Sequence, residues 1–312
     1  TRFASVDNII PKSYVTDLLP GLEIPEHVSL FYEVKADLTQ EEIKTLAKAR
    51  VVEVQPGVES LATETLKLMR KGTNAFNNIR FLADCASESV KPIWNLLVGF
   101  PGESVETYEM YRANLSRLVH LPPPSGVFPV RFDRFSPYFN QSDEYNLDLE
   151  PLDYHELVYP FGDEVVANMA YYFRDRNIEA PYQRDLAGHL AHMRGAVVRW
   201  RARWESAEGA PRLRLVQDDL GWLVEDGRSG HMVEHELEER DVEFLRAAER
   251  AIPVETARQT YPESYEYMTE LGLLFEERGR VMCLVFEGLR HELDSGMNGF
   301  SGSKGRAESA SL

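Results

Sequence analysis

The first 140 residues alternate short apolar runs with longer segments in which apolar positions recur every three to four residues. Short β-rich runs separated by amphipathic helical patterns are typical of parallel β/α units. The strands predicted there are Arg2–Val6, Val28–Val34, Val51–Gln55, Ile93–Val98 and Val127–Phe132. Five such units fit either part of a (β/α) barrel or a doubly wound sheet. No G-x-G-x-x-G follows the first strand, which argues against a dinucleotide-binding sheet.

Helical patterns fill the intervals between these strands. Thr39–Arg50 starts with a predicted N-cap threonine, and Glu42 three residues later has the spacing of a capping box. Two further helical stretches, Leu61–Arg70 and Asn74–Ser87, precede the fourth strand, and Val105–His120 precedes the fifth. The fold class predicted for this part is therefore α/β.

The rest of the sequence divides into three parts with different predicted structures. Residues 141–208 are predicted to form a helical connector, with Leu152 to Ser206 helical and a last helix at about Gln183–Glu205. Residues 209–290 contain three short strand patterns, three helical patterns and a final hairpin at Arg278-Gly279-Arg280, an order that suggests a small winged-helix-like α+β module. Residues 291–312 are rich in Ser and Gly and poor in apolar residues, so we expect a disordered tail.

Composition and charge narrow the possible partners. Hydrophobic residues make up 43% of the 312 residues and charged residues 27%, as in ordinary globular proteins. No apolar run of about 18 residues indicates a membrane span, so we expect a soluble, cytoplasmic protein without a membrane partner. The formal net charge of −17 argues against nucleic acid, since affinity for phosphate backbones comes largely from Lys and Arg.

Cysteine and histidine are too sparse for an obvious metal site. Cys85 and Cys283 lie far apart, so neither a disulfide framework nor a local cysteine-rich site can form, and both are predicted to be buried thiols. His189 and His192 are three residues apart on a predicted helix, but no acidic or thiol partner has ligand spacing, and we interpret them as a solvated helix face. The sequence begins at Thr1 with a strand already under way, so a chain shortened at its N-terminus is expected.

Polar residues follow the predicted strands at the points where the strands end. In a parallel β/α fold, binding groups gather at the carboxyl ends of the strands. Loops are polar in most proteins, so one polar residue at a strand end is weak evidence for a binding site. The repetition of such residues over five strands is more specific. The residues selected in this way are Asp7, Asn8, Glu33, Lys35, Asp37, Gln55, Gly57, Glu59, Asn95, Arg131 and Asp133.

Two of these strands end in Gly/Pro motifs. In Val54-Gln55-Pro56-Gly57-Val58-Glu59-Ser60, a predicted Pro-Gly turn allows the backbone to approach a ligand without a Cβ in the way. Glu59 would then either support the ligand loop or place a favourable charge at a helix N-terminus. The second motif, Asn95-Leu96-Leu97-Val98-Gly99-Phe100-Pro101-Gly102-Glu103-Ser104, lacks the Lys-Ser/Thr of a phosphate loop, which argues against a nucleoside triphosphate ligand.

These motifs resemble those of radical S-adenosylmethionine (SAM) enzymes. Val52–Leu68 with Met69-Arg70-Lys71-Gly72-Thr73, together with Trp94–Glu103, is similar to the second half of the radical SAM barrel. The similarity is greatest to cobalamin-binding radical SAM proteins that mature ribosomally made peptide natural products (RiPPs), several of which are C-methyltransferases. It is strongest over residues 1–140, including Ser5–Asn8 and Arg134–Tyr138.

The resemblance implies that residues 1–140 form the second half of a SAM-binding (β/α) partial barrel. It places one group of residues at the SAM ribose, one in the motif of the following strand and one beside the adenine. The SAM-binding residues implied in this way are Glu33, Lys35, Asp37, Gln55, Gly57, Glu59, Asn95, Leu97 and Val98. The residues implied to face the substrate are Asp7, Asn8, Arg131 and Asp133.

The chain departs from the family's pattern in its cysteines. The C-x-x-x-C-x-x-C loop that holds a four-iron, four-sulfur (4Fe-4S) cluster is absent, as is an N-terminal cobalamin domain. Without the cluster no electron reaches SAM and no 5′-deoxyadenosyl radical forms, so the chain alone is expected to be inactive. The resemblance therefore implies SAM as the cofactor of this chain, and assigns the cluster and cobalamin to a full-length parent protein.

Two functions fit this sequence. In the first, the chain is the C-terminal part of a radical SAM enzyme that modifies a ribosomally synthesised precursor peptide, by C-methylation. In the alternative, a degenerate or truncated protein binds a peptide without chemistry. The precursor peptide is the expected partner in both, and the strands within Trp222–Glu236 beside the helix Glu263–Leu273 are predicted to offer it a groove. An unrelated barrel enzyme would need its own catalytic pair, and none has a convincing spacing.

Overall fold

A computed structural model describes residues 1–6 and 9–286. Its first part contains a four-stranded parallel sheet in the order β1-β2-β3-β4. The strands are β1 (Arg2–Ala4), β2 (Ser29–Val34), β3 (Val51–Pro56) and β4 (Lys91–Pro92). Among the described strands, β1 pairs only with β2 and therefore forms one edge of this sheet.

A second parallel pair continues from this sheet. Its strands are β5 (Leu96–Val98) and β6 (Val127–Pro129). The amide of Ile93 donates to the carbonyl of Val54 at 2.7 Å, and the amide of Leu97 donates to the carbonyl of Glu59 at 2.8 Å. These bonds hold residues 91–98 along β3 and its extension, so this segment lies between β3 and β6.

Helices cover one face of the parallel strands. They are α1 (Gln40–Lys48), α2 (Thr63–Leu68), α3 (Ala75–Ser87) and α4 (Val105–Asn114). Helix α1 begins with the predicted capping box, in which the Thr39 hydroxyl accepts from the Glu42 amide at 3.3 Å and the Glu42 carboxylate accepts from the Thr39 amide at 2.8 Å. These reciprocal bonds satisfy two amides that the helix start would otherwise leave unpaired. Apolar residues of helices and strands share one core, including Ile43, Leu46, Ile79, Leu82, Val51, Val54, Leu96 and Val98.

The predicted strand Val127–Phe132 is shorter than expected, because its last residue belongs to another sheet. Phe132 is buried in a second, smaller core together with Phe173. The two residues are register partners in an antiparallel sheet of order β7-β9-β8. Its strands are β7 (Phe132–Asp133), β8 (Leu149–Pro151) and β9 (Tyr172–Asp175), and a short helix α5 (Pro137–Asn140) follows β7.

The segment from Leu152 to Ser206 is not helical throughout, which corrects the sequence prediction. Its helices are α6 (Tyr154–Val158), α7 (Asp163–Met169) and α8 (Leu186–Trp204), and β9 lies between the last two. Strand β9 forms because Phe173 is buried against β7, a partner that is distant in sequence and invisible to a local pattern.

Helix α8 packs on the parallel part through an apolar face. Met193, Val197 and Trp200 are buried in the main core. The Trp200 indole donates to the carbonyl of Leu121 at 2.8 Å, and its ring meets Trp94 edge-on at 6.3 Å between centroids. This helix therefore covers the chain segment that leads into β6.

The C-terminal part combines two antiparallel sheets with three helices. Strands β10 (Leu213–Gln217), β11 (Trp222–Asp226) and β12 (Val233–Leu237) form one sheet with β11 in the centre, and β13 (Ile252–Pro253), β14 (Leu274–Glu277) and β15 (Arg280–Cys283) form the other in the order β13-β15-β14. The helices are α9 (Glu239–Ala247), α10 (Val254–Thr260) and α11 (Pro262–Glu270). The predicted hairpin turn is confirmed, with Arg278 and Gly279 at φ of 54° and 70°. None of the described helices combines the length and apolar character needed to cross a membrane.

The C-terminal part is bonded directly to the helices of the parallel part. The Glu277 carboxylate accepts from the Thr63 amide at 2.7 Å and from the Thr63 hydroxyl. The Arg80 guanidinium donates to Asp84 on its own helix at 2.8 Å and to Glu249 at 2.6 Å. These bonds fix the hairpin against α2 and the end of α9 against α3.

Candidate functional site

Alternation along the parallel strands separates two faces of the sheet. Val54 and Val98 are buried in the core beneath the helices. Successive side chains of a strand point to opposite faces, so Gln55 and Leu97 lie on the side away from the helices. Glu33 lies on that side as well, because it is the register partner of Gln55 in the neighbouring strand.

This surface, which we call the open face, consists of Glu33, Gln55, Asn95, Leu97 and Phe128. Phe128 is the register partner of Leu97 in β6 and is 47% exposed. Asn95 precedes Leu97 by two residues in the same extended segment and therefore shares its side. The open face thus places three polar and two apolar side chains next to one another on four neighbouring chain segments.

The polar groups of the open face are available to a ligand. Within the described part of the chain, Glu33, Gln55 and Asn95 make no side-chain hydrogen bond or ion pair. Gln55 is exposed, and the other two are half-buried. A carboxylate accepts hydrogen bonds, whereas a carboxamide both donates and accepts them. The surface can therefore pair with hydroxyl groups beside Glu33 while a flat apolar ring lies against Leu97 and Phe128.

Ion pairs flank the open face at both ends of the strands. Towards the amino ends, the Glu53 carboxylate is 2.7 Å from the Arg2 guanidinium and 3.5 Å from the Lys91 ammonium. Beyond the carboxyl ends, the Glu59 carboxylate is 2.6 Å from the Lys71 ammonium. The sequence reasoning missed Glu53, although its spacing of two residues from Gln55 predicts that both side chains share a face.

A buried carboxylate shapes the loop that follows β5. The Oε2 atom of Glu103 accepts from the amides of Gly99 at 2.6 Å and Phe100 at 3.3 Å and from the Tyr108 hydroxyl at 2.7 Å. Its Oε1 atom accepts from the Thr65 hydroxyl at 2.5 Å. Gly99 has a φ of 78°, a conformation that residues with a Cβ rarely adopt. Glu103 therefore holds the turn that ends the Asn95–Val98 segment, a role that the sequence reasoning did not assign.

The comparisons with known proteins give one family match and a similar solved structure. Residues 10–113 match the family model of the Radical SAM superfamily. The chain is also similar to coproporphyrinogen III oxidase from Escherichia coli, a radical SAM enzyme, at 11% identity and a TM-score of 0.32, over 90% of this chain and 73% of that chain. No curated protein matches the chain.

Members of the Radical SAM superfamily generally use SAM and a 4Fe-4S cluster, and the cysteines of this chain do not fit such a cluster. Cys85 and Cys283 are both free and buried, as predicted. Burial raises the pKa of the Cys85 thiol well above its usual range and that of Cys283 to about 12, which opposes the thiolate form that binds iron. Among residues 1–6 and 9–286, no three His, Cys, Asp or Glu side chains form a group that could hold a metal ion.

Several of the predicted SAM-binding residues lie apart from the open face. Val98 faces the core, and its carbonyl accepts from the Val130 amide at 2.7 Å. Lys35 and Asp37 are exposed beyond the end of β2, and Asp37 lines a cavity of 960 Å³ between α1, α3 and the C-terminal part. Gly57 does not form a tight turn, and a Cβ there would meet only the Lys71 ammonium at 3.6 Å.

The residues predicted to face a substrate are distributed differently. Asp7 and Asn8 lie outside the described residues. Arg131 and Asp133 form an ion pair of 2.7 Å where the chain leaves β6, and the Arg131 guanidinium lies 3.8 Å from the centroid of the Tyr172 ring. These two charges therefore neutralise each other beside the antiparallel sheet rather than on the open face.

His189 does not lie on a solvated helix face, which corrects the sequence interpretation. Its ring is buried and stacks on Tyr108 with centroids 4.1 Å apart. The guanidinium of Arg112 lies 3.1 Å from its Nδ1 atom. Burial, followed by the nearby Arg112 charge, lowers the pKa of His189. This histidine thus packs α8 against α4, with an aromatic partner that helical spacing alone does not reveal.

Proposed function

We propose that the open face binds the adenosyl portion of SAM. The observation that carries this proposal is the register that places Glu33 beside Gln55, away from the core, within the segment that matches the Radical SAM superfamily. The Glu33 carboxylate would accept hydrogen bonds from the two ribose hydroxyls, and the amide of Asn95 would pair with the polar edge of the adenine. Leu97 and Phe128 would lie against its flat surface.

The proposal uses fewer residues than the sequence motifs suggested. Of Glu33 and Asp37, which belong to the same sequence motif, only Glu33 is assigned to SAM, because Asp37 lines the cavity on the helix side of the sheet. Glu59 would support the extension of β3 through its ion pair with Lys71 and its carbonyl bond to the Leu97 amide. When bound, SAM would supply the adenosyl radical only in the presence of a cluster held by residues other than those of this chain.

We further propose that the complete reaction modifies a ribosomally synthesised precursor peptide, by methylation of a carbon atom. Support for this comes from the motifs quoted above and their resemblance to cobalamin-binding enzymes of peptide maturation. The C-terminal part offers the peptide an edge at β12, which among the described strands pairs only with β11. An extended peptide can add to such an edge through backbone hydrogen bonds.

Equilibrium dialysis with radiolabelled SAM tests the adenosyl site. Glu33→Ala should weaken SAM binding by about 5- to 150-fold, which corresponds to about 1–3 kcal/mol for polar groups left unpaired. Glu41→Ala is the matched control, since Glu41 is an exposed carboxylate on α1, outside the open face. Equal SAM affinity of the two variants would contradict the proposed site.

The rival function is a peptide-binding protein without chemistry. The burial of both cysteines favours it, because the chain then has no accessible thiolate for an iron cluster. The same dialysis separates the two functions, since a protein that only binds peptides has no reason to retain SAM. Peptide binding without any SAM binding would therefore support the rival.

A further inference from the structure

Helices α6 and α7 expose an unusual number of apolar side chains. Leu157 is 82% exposed, and Phe161 in the connection between the helices is 53% exposed. Val165 and Met169, four residues apart on one face of α7, are 46% and 49% exposed, while Val166 alone is buried. Monomeric proteins rarely expose apolar groups in such numbers on one short segment unless the surface binds something.

The same segment carries uncompensated negative charge. Residues 135–173 contain eight Asp and Glu but no Lys or Arg. Some of these carboxylates pair with Arg174 and Arg176. Glu156, Asp163 and Glu164 are exposed and form no ion pair with any residue that the structure describes. We define the acidic apolar surface as Glu156, Leu157, Phe161, Asp163, Glu164, Val165 and Met169.

The acidic apolar surface is fixed to the chain segment that leaves the open face. The Arg134 guanidinium donates to the carbonyl of Ala170 at 2.6 Å and to that of Ala167 near the end of α7. The Tyr172 ring lies 3.8 Å from the Arg131 guanidinium and 6.3 Å from the Tyr154 ring of α6. A ligand on α6 and α7 would therefore lie beside the segment that continues from Phe128 and β6.

We propose that the acidic apolar surface docks a cationic amphipathic peptide segment. Apolar side chains of the peptide would cover Leu157, Val165 and Met169, and its Lys or Arg side chains would lie near Asp163 and Glu164. Charge complementarity selects this occupant. A second copy of the chain would bring the same acidic surface and a net charge of −17, so like charges would oppose its binding.

This inference rests on the proposed function, because it concerns the peptide partner of that reaction. Its test requires no SAM, so the docking surface and the SAM site can each fail without the other. The probe is a fluorescein-labelled Lys/Leu peptide of about 14 residues, or four helical turns, with all its leucines on one face. A scrambled peptide of the same composition lacks that face, and a Glu/Leu peptide reverses the charge. Fluorescence anisotropy should show saturable binding of the first peptide, weakened by added salt, and little binding of the other two.

Surface variants of the full chain locate the site. The double variant Val165→Ser/Met169→Ser should bind the Lys/Leu peptide about tenfold more weakly, because two partly buried apolar contacts are lost. Val198→Ser is the control, since Val198 is 66% exposed on α8, outside the acidic apolar surface. Circular dichroism should show the same secondary structure for both variants.

Four results would overturn the inference. The first is no saturable binding of the Lys/Leu peptide, and the second is equally tight binding of the scrambled peptide. The double variant could bind the peptide as tightly as Val198→Ser does. Sedimentation could instead show that the unmodified chain dimerises and the double variant does not, in which case a second copy occupies the surface.

Discussion

Replacement of Glu103 by alanine should destabilise the protein strongly, because this buried carboxylate accepts from four donors. After the replacement, the Gly99 amide keeps the Tyr108 hydroxyl as an acceptor at 3.1 Å. The Phe100 amide and the hydroxyls of Thr65 and Tyr108 lose their acceptor in a buried environment. Each buried donor without a partner costs about 1–3 kcal/mol, so the loss of three acceptors should lower the free energy of unfolding by about 3–9 kcal/mol.

Urea unfolding, followed by tryptophan fluorescence, measures this loss for Glu103→Ala. Glu109→Ala is the matched control, because Glu109 is an exposed carboxylate on the helix that follows the loop. Hydrogen exchange of the Phe100 amide should also become faster in the Glu103 variant alone. If the two variants unfold at the same urea concentration, Glu103 does not hold the loop in the way described.

Three further outcomes follow from the structure. Burial raises the pKa of Asp84 to about 6, so the folded state binds the proton more tightly than the unfolded state. The free energy of unfolding should therefore fall by about 2 kcal/mol as the pH rises from about 4 to 6, and Asp84→Asn should lack that fall in urea titrations across this range. Gly99→Ala should destabilise the chain by about 1–3 kcal/mol, since its Cβ would lie 2.8 Å from the Leu186 side chain at a φ of 78°, and Leu186→Ala should recover part of this loss in thermal melts. Anaerobic reconstitution of the chain should yield neither bound iron nor 5′-deoxyadenosine, and detection of either would show that the two buried cysteines do not limit cluster binding.

Elements that depend on local rules were predictable from the sequence. The capping box at the start of α1 requires only Thr39 and Glu42 at the correct spacing, and both of its bonds form. Asn74 caps α3 in the same way, by accepting from the Asn77 amide at 3.0 Å. The Arg278-Gly279 turn follows from the conformational freedom of glycine. In each case the decisive contacts lie within a few residues of one another.

Elements that depend on distant partners were not predictable. Strand β9 lies in a stretch with helical periodicity, and it forms because Phe173 pairs with Phe132. His189 is buried for a comparable reason, since Tyr108 of α4 provides a flat partner that its own helix does not contain. A single sequence shows periodicity but not which surfaces meet.

The residues of the candidate site also divide into those that the sequence predicted and those that it did not. The rule that ligands bind at strand ends selected Glu33, Gln55 and Asn95, and the register places these three on one face. Val98 was implied by the resemblance alone, which does not distinguish the two faces of a strand, and alternation directs Val98 into the core. Glu103 was missed because its four partners come from the loop and from two helices, and no spacing rule identifies a buried loop carboxylate.

The most direct test of the central claim observes the open face itself during SAM binding. In a ¹⁵N-labelled chain, titration with SAM should shift the side-chain amide signals of Gln55 and Asn95, assigned through the variants Gln55→Glu and Asn95→Asp. The side-chain amide of Asn77, which is exposed on α3 and lines the cavity on the helix side, should not move. Shifts confined to Gln55 and Asn95 are the predicted result. Unchanged signals of both residues at saturating SAM, or shifts at Asn77 instead, would contradict a SAM site on the open face.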